Sequence, residues 1–374
     1  MTSYTAKKSG LPSFTPSTLT EELNSTLDRL DFNTNFNAII KNWDCQGGKM
    51  KLTRFSYNRT EHFGFVNDNR FYSFKEFSLN TADPDQLLSL GNYLKKLPDS
   101  RITAEEIEKN IFSIAKEGIK RESVKLLPIT GNPPALFDFA LTPTHLFNSA
   151  LGFIDHEFSG LKAFISRRVI KKRIDKAMAK PFYPYYKGNC SVISGEDDTV
   201  VWPSYSAYLD IEPELAFLYG NEKERIAGYL IFNDLSARDV QFQELSELSL
   251  TRSKDFDNGI GSFLVTPDEA GNVRELQVKL TIGNHEPLKS DTFDYLISPE
   301  KVVDYLLSIA PIQTGTVVGM GTVPGLCSIE RGEWIPPGQH FTIEFEKLGS
   351  LTQHFPEKVD FSGEHRWRKR NDLV

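Results

Sequence analysis

The segment YLDIEPELAF, residues 208–217, carries the strongest structural signal in the chain. Its acidic residues Asp210, Glu212 and Glu214 alternate with apolar residues, and a period of two is typical of a β-strand. We therefore expect one strand whose three carboxylates share a face, with neighbours about 7 Å apart. Like charges so arranged need a screening partner, and a hard divalent cation takes oxygen ligands. A solvated acidic surface is the alternative interpretation of this segment.

A further acidic residue follows the next apolar run, RIAGYLIFND, residues 225–234. The run predicts a strand and the following SARDVQFQELSEL predicts a helix, so Asp234 lies at a strand-to-helix turn. An aspartate in that place can cap the helix. It can also reach a pocket shared with the acids of residues 208–217, because strand ends commonly meet there.

Residues 137–152, FDFALTPTHLFNSALG, place a histidine close to an aspartate. Thr142 and Pro143 fit the N-cap and first position of a helix, which puts His145 in its first turn. Asp138 lies seven residues before His145. A histidine in such a place serves as a structural residue or as a base, and the segment alone leaves both interpretations open.

The glycines of TVVGMGTVPG, residues 316–325, do not indicate a dinucleotide-binding loop. The following GLCSIERGEW predicts no helix, and no βαβ unit surrounds the segment. Glycine at such positions instead permits close approach of the backbone to a ligand.

Composition excludes several classes of protein. The chain has 374 residues and a net charge of −7, which argues against nucleic acid as the main partner. No window approaches the roughly 18 apolar residues of a membrane helix, and the N-terminus lacks an apolar targeting segment. The three cysteines are scattered without a CxxC pair, so neither a disulfide framework nor a zinc ribbon is expected. These features predict a cytoplasmic protein.

One segment departs from the acidic average. Residues 167–180, RRVIKKRIDKAMAK, contain seven Lys or Arg and one Asp, a net charge of +6. The segment is either a solvated helix face or a cationic cover that attracts an anionic substrate.

The order of patterns predicts a mainly β protein with α-helices, of the α+β class. Residues 1–49 form an N-terminal extension with a possible helix near 20–30, and residues 50–125 a small β-rich domain. Three short strands are expected there, separated by turns at Asn58-Arg59 and Asn67-Asp68-Asn69. Residues 126–350 form the catalytic domain, and residues 351–374 a basic tail that we expect to be loose.

Taken in order, these segments resemble the fumarylacetoacetate hydrolase (fumarylacetoacetase) superfamily. LDIEPELAF resembles its Asp-x-Glu-x-Glu strand, and NDLSARDVQ its Asn-Asp-x-Ser-Ala-Arg-Asp-x-Gln signature. SKDFDNGIGSFLVTPDE resembles its Lys-x-Phe-Asp segment, GMGTVPG its Gly-Thr loop, and KLTRFSYNRTEHFGFVNDNRFYSF its small N-terminal β module. The resemblance spans about residues 50–350 and implies a mixed β-roll and a homodimer.

The resemblance also implies roles for individual residues. The divalent-metal ligands would be Asp138, Glu212, Glu214 and Asp234. His145 would be the catalytic histidine, with Lys254 and Gln241 stabilising an oxyanion. The substrate-binding residues would be Tyr186, Arg238, Gly321 and Thr322.

The carboxylate partner of His145 is not fixed by the resemblance. In one branch of the family a glutamate follows the histidine by three residues, but this chain has Asn148 there. In the branch that hydrolyses diketones the partner comes from a late loop, where Glu330 and Glu333 are the candidates.

Carboxylate ligands select Mg²⁺, with Mn²⁺ or Ca²⁺ as alternatives, over zinc. The expected activity is hydrolysis of a C–C bond in a small anionic diketo-acid or acylpyruvate, with His145 activating water. A β-keto-acid decarboxylase, a keto–enol tautomerase and an inactive, binding-only member of the family are the alternatives.

Overall fold

The computed structural model describes residues 50–77, 82–114, 116–180, 183–247, 249–363, 367 and 372–373. The predicted N-terminal extension, with its possible helix near 20–30, lies outside the described residues. The strands are β1 (Lys51–Tyr57), β2 (Thr60–Asn67), β3 (Arg70–Ser73), β4 (Ile119–Lys120), β5 (Lys125–Leu127), β6 (Leu136–Phe139), β7 (Tyr185–Lys187), β8 (Ile193–Ser194), β9 (Leu209–Asp210), β10 (Pro213–Tyr219), β11 (Ile226–Asn233), β12 (Ser236–Ala237), β13 (Asn258–Ile260), β14 (Phe263–Val265), β15 (Gln277–Ile282), β16 (Leu288–Asp291), β17 (Val317–Thr322), β18 (His340–Phe345) and β19 (Gly349–His354).

The helices are α1 (Leu90–Lys95), α2 (Asp99–Ser113), α3 (Pro143–Glu157), α4 (Gly160–Met178), α5 (Arg238–Ser246), α6 (Thr251–Lys254), α7 (Pro267–Ala270), α8 (Pro299–Ile309) and α9 (Ser328–Arg331). Short 3-10 helices lie at Phe74–Glu76, Pro84–Leu87 and Arg121–Ser123. No helix in these described ranges is long and apolar enough to cross a lipid bilayer.

The first three strands form the two hairpins that the sequence predicts. Asn58 and Arg59 have φ values of 50° and 62°, and Asp68 and Asn69 have 45° and 57°. Two consecutive positive φ angles fit the twist of a tight two-residue hairpin. β1 also pairs with β14, in the register Leu52↔Leu264, so these hairpins continue into the main sheet.

The main sheet has the strand order β4-β3-β2-β1-β14-β11-β10-β17-β6-β7, with β5, β8 and β13 beside this path. Its central strands β10 and β11 are buried along their whole length, which explains their long apolar runs. β17 lies between β10 and β6, with Glu214 opposite Thr322 and Gly319 opposite Asp138. This register brings acids from distant parts of the chain to one edge of a cavity.

Residues 208–217 do not form the single strand that we predicted. β9 pairs with β12 in a separate two-stranded sheet, and β10 begins only at Pro213. Between them the backbone N–H of Glu212 donates to Asn233 Oδ1 at 3.0 Å instead of joining a ladder. Proline, which has no N–H, is suited to the first position of a strand. The prediction of three carboxylates on one strand face is therefore wrong.

Two helices decide where the site residues lie. α3 begins with Thr142 as N-cap and Pro143 as first residue, as predicted. The residues after the glycine segment do form one helical turn, α9, contrary to our expectation. Its first backbone N–H groups, from Ser328 and Ile329, donate to the carboxylate of Asp210 at 2.7 and 3.0 Å. This capping partner is far away in sequence, so no local pattern revealed the turn.

The predicted loose tail contains a buried tryptophan. Trp367 stacks on His156 at 4.3 Å and lies 4.7 Å from the ring of Tyr208 and 5.9 Å from Trp334. Its Nε1 donates to Glu157 Oε1, at the end of α3, at 2.7 Å. We name the rings of His156, Tyr208, Trp334 and Trp367 the aromatic cluster. The tail is thus anchored at residue 367, because burying an aromatic ring is strongly favourable.

The predicted domain boundaries at residues 49, 125 and 350 stay predictions. β19, Gly349–His354, runs across the last of them.

Candidate active site

A cavity of about 310 Å³ lies where β6, β7, β10 and β17 face α3 and α5. Its walls combine apolar side chains of α3 with a dense group of polar ones. Most of the predicted site residues line it: Asp138, His145, Tyr186, Glu212, Glu214, Asp234, Arg238, Gln241, Lys254, Gly321 and Thr322.

Asp138, Glu214 and Asp234 converge in this cavity, and we name them the carboxylate triad. One oxygen from each lies within 4.8 Å of the others, and all three residues are buried. Gly319 makes the approach possible, since a Cβ there would meet Asp138 Oδ1 at 2.5 Å and Glu214 Oε2 at 2.8 Å.

Electrostatic forces in the carboxylate triad favour a bound cation. Burial, together with the neighbouring charge of Asp138, raises the pKa of Glu214 well above its usual range. Burial likewise raises the pKa values of Asp138 and Asp234. Asp138 Oδ1 accepts no hydrogen bond from the described residues. Three buried carboxylates with one adjacent cation, Lys254 beside Asp234, carry more negative charge than their neighbours offset, which fits a hard divalent cation such as Mg²⁺, Mn²⁺ or Ca²⁺.

The glycine segment holds Glu214 in place. The backbone N–H of Gly321 donates to Glu214 Oε2 at 3.0 Å, and Thr322 Oγ1 donates to Oε1 at 3.1 Å. Gly321 has φ of 105°, and a Cβ there would lie 2.7 Å from the carbonyl oxygen of Phe139. Glycine is therefore required, and both residues orient Glu214 as well as lining the cavity.

Glu212 differs from the carboxylate triad because it is paired with cations. Arg238 Nη2 donates to Glu212 Oε1 at 2.5 Å, and Lys254 Nζ contacts both Glu212 Oε2 and Asp234 Oδ2. Burial alone would raise the pKa of Glu212, but Arg238 and Lys254 hold it well below its usual range. Arg238 Nε also donates to Asp210 at 2.9 Å. We name Asp210 and Glu212 the paired acids.

Tyr186, predicted to bind substrate, and Gln241, predicted to stabilise an oxyanion, line the same cavity. Tyr186, on β7, donates its hydroxyl hydrogen to Asp234 Oδ1. Gln241 Oε1 accepts from Arg238 Nη1 at 2.8 Å, which fixes the amide of Gln241 at the cavity wall.

His145 lies between two carboxylates. Its Nδ1 contacts Glu330 Oε1, and its Nε2 is 3.2 Å from Glu212 Oε1. Burial by itself would lower the pKa of His145, but hydrogen bonds to Glu212 and Glu330 raise it to about 9. The second oxygen of Glu330 accepts from Asn148 Nδ2 at 3.1 Å and from the backbone N–H of Gly325 at 2.7 Å.

Of the two candidate partners of His145, only Glu330 reaches it. Glu333 lies 3.6 Å from Arg331, and its side chain is 49% exposed. Glu330 lies within α9 and Glu333 lies two residues after its end, so their different directions depend on a helix that the sequence did not predict.

Sequence reasoning grouped Asp210 with the wrong partners and missed two neighbours of the site. Asp210 joins Arg238 to α9 instead of joining the carboxylate triad. Ser149 Oγ lies 3.3 Å from His145 Nε2, and its spacing of four residues on a helix was an available signal. Cys327 Sγ lies 4.0 Å from His145 Nδ1, and nothing in the linear sequence indicated this.

A larger depression, about 820 Å³, lies beside α2 and the 3-10 helix Pro84–Leu87. None of the predicted site residues lines it, so we assign the site to the smaller cavity, where the titratable groups converge. The basic helix α4 has no buried residue among those described, and none of its residues lines the smaller cavity.

Residues 165–355, just over half of the chain, match the family described as "Fumarylacetoacetate (FAA) hydrolase C-terminal". The chain is 28% identical over 195 residues to 2,4-didehydro-3-deoxy-L-rhamnonate hydrolase of Sphingomonas sp. (strain SKA58), a match that covers 49% of this chain. It spans 65% of that relative, slightly less than two thirds of its length. Maleylpyruvate hydrolase of Aquipseudomonas alcaligenes is 24% identical over 300 residues, covering 75% of this chain and 96% of the relative.

Solved structures show the same fold. Maleylpyruvate hydrolase from Sphingobium sp. SYK-6, in complex with manganese(II) ion and pyruvate, matches with a TM-score of 0.56 and 17% identity, over 82% of this chain and 99% of that one. Fumarylacetoacetate hydrolase from Exiguobacterium antarcticum matches with a TM-score of 0.57 and 19% identity, over 83% of this chain and 100% of that one. The predicted α+β fold class is therefore confirmed.

Proposed function

Because this chain belongs to the fumarylacetoacetate hydrolase superfamily, we propose that it hydrolyses a C–C bond in a small diketo-acid or acylpyruvate, with a divalent cation as cofactor. Its relatives include hydrolases named for small keto-acids, such as maleylpyruvate hydrolase. The observation that carries the proposal is that His145, which is paired with Glu330, lines the same cavity as the carboxylate triad.

Asp138, Glu214 and Asp234 are the residues that would hold the cation, and Mg²⁺ is the proposed ion, with Mn²⁺ or Ca²⁺ as alternatives. Glu212, also predicted as a ligand, would have to leave Arg238 and Lys254 to join them. When bound, such a cation supplies Lewis-acid polarisation of a substrate carbonyl. The similar structure of maleylpyruvate hydrolase from Sphingobium sp. SYK-6, in complex with manganese(II) ion and pyruvate, supports the choice of a divalent cation.

His145 is the proposed base for the attacking water, and it acts in the form that has lost one ring proton, which predominates above its pKa of about 9 and is the minor form at neutral pH. Because a carboxylate can only accept, we assign Nδ1–H as the donor to Glu330, which leaves Nε2 as the nitrogen that takes a proton. Water then gives a proton to Nε2 as its oxygen adds to a carbonyl carbon, the adjacent C–C bond breaks, and the leaving carbon takes that proton from Nε2. A positioned general base typically contributes about 10²–10⁴-fold to the rate.

Lys254, Arg238 and Gln241 are the proposed groups that face the negative charge of substrate and transition state. Lys254 and Arg238 are buried cations, and Gln241 is fixed by its bond to Arg238. Donors fixed in advance at a developing oxyanion are commonly the largest electrostatic contribution to catalysis. Tyr186, Gly321 and Thr322 complete the proposed wall around a small anionic keto-acid.

A keto–enol tautomerase is the second candidate, and one observation favours it. With a pKa of about 9, His145 holds a proton at neutral pH and can donate it to a substrate carbon or oxygen. A β-keto-acid decarboxylase would use the same cavity. We further propose a cytoplasmic homodimer with no nucleic-acid partner.

The test is a panel of acylpyruvates, oxaloacetate and fumarylacetoacetate, assayed with Mg²⁺ or Mn²⁺ for C–C cleavage, CO₂ release and enol formation separately. His145→Ala should lower kcat for cleavage about 10²–10⁴-fold, with the affinity for the cation nearly unchanged. Glu330→Gln should act similarly, and the double variant should be little worse, because the two residues act as a unit.

The matched control is Glu333→Gln, which removes an acid from the same segment but not from the cavity. It should keep full activity. Full C–C cleavage activity in His145→Ala would contradict the hydrolase proposal. Release of CO₂ without cleavage would indicate the decarboxylase, and enol formation without cleavage would indicate the tautomerase. A cation-binding chain that is inactive on every substrate would indicate the binding-only member.

A further inference from the structure

Three unlike donor atoms converge on the Nδ1 side of the His145 ring, whereas Nε2 faces Glu212. They are His145 Nδ1, Cys327 Sγ and Glu330 Oε1, and all lie within 4.8 Å of one another. Cys327 and His145 are buried, and so is the side chain of Glu330. We propose that these three residues form a second metal site, one that takes a soft or borderline divalent cation such as Zn²⁺ or Cd²⁺ and thereby blocks the histidine.

The donor set differs in chemistry from the carboxylate triad. Imidazole and thiolate are preferred by zinc and softer ions, whereas oxygen-only sets suit Mg²⁺, Mn²⁺ and Ca²⁺. Bonds of about 2.0–2.3 Å in a tetrahedral site keep ligand atoms roughly 3.3–3.8 Å apart. The 4.0 Å between Cys327 Sγ and His145 Nδ1 is close to that separation. The Glu330 oxygen, now in contact with Nδ1, would move aside to admit the ion.

The three donors stand on rigid supports. Cys327 immediately precedes α9 and Glu330 lies within it, and α9 is fixed by the bonds from Ser328 and Ile329 to Asp210. The other oxygen of Glu330 is held by Asn148 and Gly325, as described above, so Oε1 stays directed at the histidine. Such supporting bonds typically strengthen a metal site about 10–100-fold.

Binding would exchange protons for the ion. Burial and the nearby acids Asp210 and Glu330 raise the pKa of the Cys327 thiol well above its usual value, so the resting group is S–H. As the metal–sulfur bond forms, the S–H bond breaks and its proton leaves to the buffer. The proton on His145 Nδ1 leaves in the same way, because that lone pair must face the ion. An occupied site would also take Glu330 away from His145, so the ion would inhibit any reaction that needs this pair.

The experiment uses full-length chain with excess Mg²⁺, titrated with Cd²⁺ while the thiolate-to-cadmium charge-transfer absorbance is recorded. Two matched double variants each keep a single cysteine. Cys45→Ser with Cys190→Ser keeps Cys327, and Cys45→Ser with Cys327→Ser keeps Cys190. The first should develop the band with one equivalent of Cd²⁺ and lose it on addition of Zn²⁺. The second should develop none.

Adding Glu330→Gln or His145→Gln to the first variant should weaken Cd²⁺ binding at least about 10-fold, by comparison with the effect of supporting residues. The same two substitutions made singly in the otherwise unchanged chain keep the test decisive if the cysteine variants fold poorly. Equal bands in both double variants, no band in the first, or unchanged affinity in the Glu330→Gln and His145→Gln variants would each overturn the proposal. Because the readout is binding, failure of the proposed hydrolase activity leaves this test unaffected.

Discussion

The carboxylate triad and the paired acids differ in the positive charge beside them: Arg238 and Lys254 both contact Glu212, whereas among the described residues only Lys254 reaches the triad, at Asp234. Glu212 and Glu214 are two residues apart and both are buried, but the pKa of Glu212 is held well below its usual range and that of Glu214 well above it. The difference comes from the partners: Arg238 and Lys254 face Glu212, whereas Asp138 faces Glu214. Burial of a carboxylate therefore indicates a cation site only where the protein supplies too little positive charge of its own.

The largest expected effect on stability comes from removing the Arg238 guanidinium, which pairs with Asp210 and Glu212. Arg238→Met leaves Asp210 and Glu212 buried without their guanidinium, and should lower the free energy of unfolding by about 3–5 kcal/mol in metal-free buffer, measured by denaturant titration. The control is Arg225→Met, which breaks the exposed pair with Asp304. This change should lower the free energy of unfolding by less than about 1 kcal/mol. If the two variants lost the same free energy of unfolding, the difference between the buried paired acids and an exposed ion pair would be contradicted.

The second effect concerns the carboxylate triad, which should be stabilised by a cation from solution. At roughly 100 times its Kd, Mg²⁺ or Mn²⁺ should raise the free energy of unfolding by about 2.7 kcal/mol. Glu214→Gln should lose most of that gain, and Glu212→Gln should keep more of it, because Glu212 already has its cations. If both variants lose the gain equally, Glu212 leaves Arg238 and Lys254 to bind the ion.

The smallest effect tests the same principle outside the cavity. Burial, with the charges of Glu105 and Glu269, raises the pKa of Glu108 on α2 to about 7. A carboxyl with a raised folded-state pKa contributes stability below its unfolded pKa and loses that contribution as pH rises through about 7. As the pH rises from 5 to 8, the free energy of unfolding of the wild-type protein should therefore fall relative to that of the Glu108→Gln variant.

Because Glu108 is only half-buried, the relative change in Tm should stay below about 2 °C. Thermal unfolding at the two pH values measures it, and Glu106→Gln, at an exposed position of the same helix, controls for the loss of one acidic charge. A relative Tm that does not depend on pH would contradict the expectation for Glu108.

Local chemistry explains which features could be predicted. Asn58-Arg59 and Asp68-Asn69 form turns because their positive φ angles depend on short-range preferences. The Thr142-Pro143 helix start is equally local, and the ordered motifs were sufficient to identify the fold class.

Contacts between segments that are distant in sequence explain which of the sequence-based predictions were wrong. The break between β9 and β10 depends on Asn233 and Pro213 together, and the turn of α9 depends on a carboxylate 118 residues earlier. The choice of Glu330 over Glu333 follows from that turn. Period-two alternation grouped Asp210 with Glu212 and Glu214, but only the latter two line the cavity, and the alternation could not show which acids find a cation.

The aromatic cluster has a consequence for the time at which this protein can finish folding. Trp367 and Glu157 are 210 residues apart, and His145 and Glu330 are 185 residues apart. At about 5–20 residues per second, a ribosome needs roughly 10–40 s after making α3 before Trp367 emerges from synthesis. During that interval the end of α3 exposes an apolar surface that the finished chain covers. The helix that carries His145 is thus among the last to gain its full set of neighbours, and a nascent chain that stalls there would present that surface to chaperones.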